Sequence, residues 1–226
     1  MFQGTWAYSV HAALMIVGFL CLMNVGAYIA RHMKKTFGRA WLYAHIGLQV
    51  LGGVAVLVSF ALIVLHFQAN GMGHFQDPHH VLGLITVILM VLQCVLGVAA
   101  HFTWPGEGRG QSPVDHLHRG LGILMFVLVF MTAATGAAML FGALWLTITL
   151  PALLALYSFE YVMVSSYTEV PANVLHGDGP AREPSRALRL NLFAVHVGFV
   201  TALAILAFTV FVVHSFNAVD PNADSP

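Results

Sequence analysis

Long apolar stretches separated by short polar segments run through the whole chain. A helix needs about 20 apolar residues to cross a hydrocarbon core of roughly 30 Å, and six stretches are long enough. The pattern therefore predicts an all-α membrane protein with six transmembrane helices. The predicted spans are 10–30, 41–66, 79–101, 117–140, 143–166 and 190–215.

Charge is scarce and lies on one side of the predicted helices. Of the 226 residues 59% are hydrophobic and only 8% are charged, which excludes a soluble domain. All nine Lys and Arg follow the first, third or fifth span. The positive-inside rule then predicts that these segments are cytoplasmic and that both termini lie on the opposite side. The net charge is zero, and we expect no nucleic-acid partner.

Four histidines introduce matched patterns of small and polar residues. His79 and His118 are each followed by glycine at offsets of 4 and 18 and by Gln or Thr at 14. His11 and His45 are each followed by glycine at an offset of 7. A histidine inside a membrane span costs free energy unless it is paired or liganded, which favours a functional role. The following residues are Gly83, Gln93 and Gly97, then Gly122, Thr132 and Gly136, and finally Gly18 and Gly52.

Depth in the membrane sorts these histidines into two pairs. The first and third helices enter from outside, so His11 and His79 lie near the outer surface. The second and fourth enter from inside, so His45 and His118 lie near the inner surface. Two imidazoles on one iron give a closed haem that carries electrons rather than binding oxygen. We therefore predict two haem b groups, the outer iron held by the first pair and the inner iron by the second. No separate catalytic side chain is predicted.

The choice between neighbouring histidines depends on the helical face. The face of His79 carries small and polar residues, which suit close approach of another helix or a bulky group. The face of His80 is apolar and suits lipid or dry packing. His118 is favoured by the same test over His116, which is predicted to lie in the loop.

Three other histidines receive weaker assignments. His196 and His101 lie near inner helix ends, and His196 is the reserve ligand, although Val200 and Leu203 after it lack the small-residue pattern. Whether either of these two contacts a haem stays open. His32 is predicted to lie in a loop.

These residues resemble the cytochrome b561 family of transmembrane di-haem proteins. The resemblance covers about residues 8 to 140 and implies the same ligand pairs. It also implies electron flow from a cytoplasmic donor such as ascorbate to monodehydroascorbate or ferric ion outside. The matching residues are His11 with Met15, Gly18 and Arg31, His45 after Trp41, and the His79 and His118 patterns, with Phe126 in the latter.

The resemblance divides the chain into two parts. Residues 1–140 form a four-helix haem core, and 141–226 add two transmembrane helices with a cytoplasmic-side loop and a short outer tail. This order is similar to that of family members fused to extracellular domains, in which the core comes first.

Three functions follow from these patterns. The first is a transmembrane oxidoreductase of the ascorbate or ferric reductase type, served by a small-molecule reductant or a partner redox protein. The second is a di-haem subunit of a larger respiratory or quinol-linked complex, with the 167–189 loop as docking segment. The third is a haem-free proton or metal transporter. The chain could also form a homodimer, and the identity of its membrane stays open.

Overall fold

Every regular element in residues 5–103, 112–141 and 185–217, which the computed structural model describes, is helical. The fifth predicted span, 143–166, and the 167–184 part of the predicted docking loop lie outside the described residues. The elements are α1 (Thr5–Met15), a π-helical segment (Ile16–Met23), α2 (Asn24–His32), α3 (Lys34–Phe37), α4 (Ala40–Ala69), α5 (Pro78–Thr103), α6 (Pro113–Phe141) and α7 (Arg186–Asn217).

Four helices in the described part of the chain are long and apolar enough to cross a membrane. They are Trp6–His32, Ala40–Ala69, Pro78–Thr103 and Pro113–Met139. Each contains one of the first four predicted spans almost entirely and is longer than predicted. The sixth predicted span, 190–215, falls within the 32-residue helix α7.

The starts of α5 and α6 follow local capping rules. Helix α5 begins at Pro78, directly after Asp77, and proline suits the first helical position because its missing N–H has no helical partner there. Ahead of α6, the Ser112 Oγ accepts from the Asp115 N–H at 3.2 Å, and an Asp115 carboxylate oxygen accepts from the Ser112 N–H at 2.9 Å. This cap starts the helix at Pro113, so the prediction that His116 lies in the loop is wrong.

The chain divides into two compact units, and the first comprises Met1–Ser59 and Ala152–Pro226. In this unit the first membrane span packs against α7. Buried Tyr28, Ile29 and Met33 form a core cluster there, to which α7 contributes Leu192 and Phe193.

Within the first unit, the first span and α4 approach closely at two glycines. A Cβ atom on Gly18 would lie 2.9 Å from the Gly52 carbonyl oxygen, and one on Gly52 would lie 2.9 Å from the Gly18 oxygen. Small residues allow this close helix contact, as is common in membranes. The shared offset of 7 after His11 and His45 thus marks the two sides of one helix crossing.

The second unit, Phe60–Pro151, is built on the pairing of α5 with α6. The two helices run antiparallel, because the start of each lies beside the end of the other. Met90 and Thr86 of α5 are almost fully buried, as are Met125 and Val129 of α6.

The glycine crossing predicts different effects for two adjacent substitutions. Gly52→Ala should lower the stability of the protein by about 1–3 kcal/mol, because the new methyl group would overlap the first span. Gly53→Ala is the matched control, since Gly53 is also buried but has nothing within 4 Å of a Cβ. Gly53→Ala should leave stability unchanged or raise it through better helix propensity. Thermal unfolding in detergent measures both, and an equal effect of the two substitutions would contradict the crossing.

Candidate functional site

His79, the second residue of α5, is held by α6. Its Nδ1 lies 2.9 Å from the carbonyl oxygen of Thr132. The ring fills the space beside Gly136, where a Cβ atom would lie only 2.6 Å from the His79 Cε1. The Thr132 hydroxyl lies 3.1 Å from that of Thr86, which links the two helices again two turns further along α5.

A recess of about 290 Å³ opens beside the His79 ring. Its walls come from the start of α5 and the end of α6, and most of its lining is apolar. A flat apolar group could therefore approach this imidazole. The recess is lined by Pro78, His79, Thr135, Ala138 and Met139.

His118 occupies the corresponding position at the other end of the same helix pair. Its ring lies against Gly97 of α5, where a Cβ atom would be 3.1 Å from the His118 Cε1. Its carbonyl oxygen accepts a hydrogen bond of 2.5 Å from the Gln93 side-chain amide. Gly122 leaves room for that amide, since its Cβ would lie 2.9 Å from the Gln93 Nε2.

The repeated offsets in the sequence are explained by this antiparallel pairing. The residue 14 positions after each histidine forms a hydrogen bond with the other histidine. Gln93, which follows His79, bonds the backbone of His118, and Thr132, which follows His118, bonds the ring of His79. The glycine 18 positions after each histidine makes room for the ring of the other. The same sequence positions therefore meet twice around a local two-fold relation, although the hydrogen bonds that they make differ.

The first span and α4 form a second helix pair, which holds His45 in a similar way. The His45 Nδ1 lies 2.9 Å from the carbonyl oxygen of Gly26 in α2. One turn along α4, the Gln49 amide donates to the Met23 carbonyl at 2.9 Å. A Cβ on Gly26 would lie 3.0 Å from that amide nitrogen, so glycine permits the contact.

His11 lies at the other end of the helix pair formed by the first span and α4, and it contacts Ser59 of α4. The His11 Nδ1 lies 2.9 Å from the Ser59 hydroxyl oxygen and 3.4 Å from the Ser59 carbonyl oxygen. The same hydroxyl donates to the His11 carbonyl at 2.9 Å. Ser59 is completely buried.

These contacts fix the tautomer of three histidines. A carbonyl oxygen only accepts, so the Nδ1 atoms of His45 and His79 must carry the proton in their bonds to Gly26 and Thr132. The Ser59 carbonyl places the same requirement on His11. In a neutral imidazole with its proton on Nδ1, Nε2 carries the lone pair that a metal ion needs.

His80 is directed elsewhere, although it adjoins His79. Its ring packs edge-on against Phe67 near the end of α4, with centroids 5.1 Å apart, and its Nδ1 lies 3.8 Å from the Asp77 carboxylate. It therefore does not share the surroundings of His79. His101 is exposed near the end of α5.

His196 of α7 takes part in a polar contact that the sequence patterns did not indicate. It is fully buried, its Nε2 lies 3.1 Å from the Asn24 Oδ1, and its ring stacks on Tyr28 at 4.1 Å. The Nε2 atom of this reserve ligand is thus engaged by a side chain. His32 is also buried beside Tyr28 and ends α2, so the loop prediction for it is wrong. Asn24, Tyr28 and His32 recur every four residues on one helical face, the signal that could have identified this cluster.

Comparison with known proteins assigns the chain to a family. The family described as eukaryotic cytochrome b561 matches residues 10–142. The chain belongs to this family. The match includes all four histidines of the two helix pairs and ends before α7, so His196 lies outside the cytochrome b561 region. It confirms the resemblance found in the sequence.

Three curated relatives of this cytochrome b561 chain match it over part of its length. Transmembrane ascorbate ferrireductase 2 of Arabidopsis thaliana is 26% identical over 130 residues, 57% of this chain and 56% of the relative. A cytochrome b561 and DOMON domain-containing protein of the same plant is 33% identical over 121 residues, 52% of this chain and 31% of the relative. Ferric-chelate reductase 1 of Bos taurus is 30% identical over 93 residues, 38% of this chain and 15% of the relative. The chain thus spans about half or less of the length of these relatives. No solved structure matches it.

The histidines fit the haem b of cytochrome b561 proteins. Haem iron takes imidazole nitrogen as an axial ligand, and ligating histidines commonly donate their second N–H to a carbonyl oxygen. His45 and His79 have this arrangement, and His11 has it with Ser59.

The glycine beside His79 provides a test of this arrangement. Gly136→Ala should displace the imidazole, because the added methyl group would lie 2.6 Å from its Cε1. Purified Gly136→Ala protein should therefore contain about half the haem of the wild type. Gly120→Ala is the control on the same helix, since nothing lies within 4 Å of a Cβ there. Normal haem content in Gly136→Ala would show that the ring position is unimportant.

Proposed function

We propose that this cytochrome b561 chain carries single electrons across its membrane through two haem b groups. One iron is ligated by His11 and His79, and the other by His45 and His118. The observation that carries this proposal is the contact of Nδ1 with a backbone carbonyl oxygen in three of these histidines. This contact places the lone pair on Nε2, the atom that would bind the iron.

The tight glycine contacts give independent support. The rings of His79 and His118 pack against glycines of the facing helix, and the recess beside His79 has a mostly apolar lining that suits the edge of a flat apolar group. A proton or cation pathway would be expected to expose these imidazoles to polar surroundings. The recess beside His79 is instead mostly apolar.

The chain's own residues hold the ligands and exclude competing chemistry. Carbonyl oxygens of Gly26 and Thr132 orient His45 and His79, and the Ser59 hydroxyl orients His11. Haem b, when bound, supplies a one-electron couple between ferric and ferrous iron. Two histidines bound to each iron would leave no position for oxygen, so these side chains would favour electron transfer over oxygen binding.

We place the donor on the cytoplasmic side, where the positive-inside rule puts the segment after the first span, and both termini on the opposite side. Lys34, Lys35 and Arg39 are exposed there. Exposed cations attract an anionic reductant such as ascorbate. The names of two relatives, an ascorbate ferrireductase and a ferric-chelate reductase, favour a ferric complex as the acceptor. Monodehydroascorbate is the second candidate acceptor.

Reconstitution tests this assignment directly. Proteoliposomes loaded with ascorbate should reduce an external ferric chelate, detected as ferrous iron by a membrane-impermeant chelator. Empty liposomes and proteoliposomes with His79→Ala protein are the controls. No reduction by a preparation that holds both haems would contradict the reductase assignment and favour a subunit that needs a partner complex.

Ligand variants test the haem assignment separately from activity. His79→Ala should lose one of two haems per chain, whereas His80→Ala should keep both, because His80 faces Phe67 and Asp77. His196→Ala should also keep both, since its Nε2 bonds Asn24. The pyridine haemochrome method gives the count. Loss of a haem in His196→Ala but not in His79→Ala would refute the ligand scheme.

A further inference from the structure

The side chain of Ser59 bonds the ring of the proposed ligand His11. Its hydroxyl oxygen lies 2.9 Å from the His11 Nδ1 and 2.9 Å from the His11 carbonyl oxygen. The side chain is completely buried, so water does not compete for these bonds. One hydroxyl therefore contacts both the ring and the backbone of the same histidine.

The roles in this pair follow from the number of protons. The His11 carbonyl can only accept, so the single hydroxyl proton of Ser59 is donated to it. In the remaining contact, the His11 Nδ1 must therefore donate its proton and the Ser59 Oγ must accept it. The Ser59 carbonyl oxygen, 3.4 Å from Nδ1, can also only accept, so this weaker contact likewise requires the proton on the His11 Nδ1. Ser59 thus holds His11 in the tautomer that has its lone pair on Nε2.

The acceptor for His11 differs in kind from those of two other proposed ligands. His45 and His79 donate to the backbone carbonyls of Gly26 and Thr132, which no side-chain substitution removes. The principal acceptor for His11 is a side chain. A change at position 59 can therefore alter the hydrogen bond of one ligand without touching the others.

We propose that Ser59 is a positioning residue that fixes the orientation of His11 and tunes the reduction potential of the haem that His11 ligates. This inference rests on the haem ligation proposed above. A histidine that donates Nδ1–H to a good acceptor is a stronger electron donor to iron, which favours the ferric state. Removing the acceptor should therefore favour the ferrous state and raise the potential of that haem.

Potentiometric titration of the purified two-haem protein tests the proposal. In Ser59→Ala, the ratio of ferrous to ferric iron in the His11 haem should rise about tenfold at a fixed ambient potential, a shift of about 59 mV for one electron. Ser59→Thr keeps a hydroxyl and should stay close to the wild type. The other haem serves as the internal control and should not move. The His11 haem is identified as the component that disappears in His11→Ala.

A second readout separates tuning from general damage. The electron paramagnetic resonance spectrum of the ferric protein reports the orientation of each pair of axial rings, so Ser59→Ala should shift the signal of the His11 haem alone. Loss of only that haem in Ser59→Ala, with recovery in Ser59→Thr, would also support the proposal. An unchanged His11 component in Ser59→Ala, or equal shifts of both components, would overturn it. A wild-type protein without haem would instead overturn the proposed function itself.

Discussion

A histidine inside a membrane helix must find hydrogen-bond partners within the protein, and this requirement organises the described helices. The partners come from the facing helix of a closely packed antiparallel pair. His79 reaches Thr132 and His45 reaches Gly26 only because glycines let the backbones approach. The same bonds that satisfy the imidazoles also fix which nitrogen carries the proton. Helix packing and the hydrogen bonding of the imidazoles therefore have a common cause, and the iron binding proposed here would depend on the same contacts.

Glycine has a specific role in this scheme, beyond general flexibility. Gly136 and Gly97 stand where a methyl group would overlap a histidine ring, and Gly18 and Gly52 stand where two helices touch. In a membrane, helix association depends on such close packing because lipid is as apolar as the helix surface. The haem ligands proposed here lie at these contacts, so ligand geometry and helix pairing should be lost together.

Much of this could be predicted from sequence, and the exceptions have physical reasons. Apolar length predicted six spans, and the first four coincide with the four long apolar helices in the described residues. The helical face favoured His79 over His80, because the positions on one face follow from local periodicity. The partners of each histidine could not be predicted, since the 14- and 18-residue offsets acquire meaning only in the register of an antiparallel pair. His32 follows the predicted first span, 10–30, and was therefore expected in a loop, yet it is buried beside Tyr28. The burial of His196 could not be predicted, since its partners Asn24 and Tyr28 lie on a helix far away in sequence and no pattern after His196 indicates them.

The central claim is that four histidines, in two pairs, ligate two haem b groups. The electron paramagnetic resonance spectrum of the fully oxidised wild-type protein, with spins counted against protein concentration, tests it most directly. Two low-spin ferric signals that together amount to two spins per chain are predicted, because each iron would have two imidazole ligands. A high-spin ferric signal would show an iron without its second histidine, and a spectrum without ferric haem would contradict the account altogether.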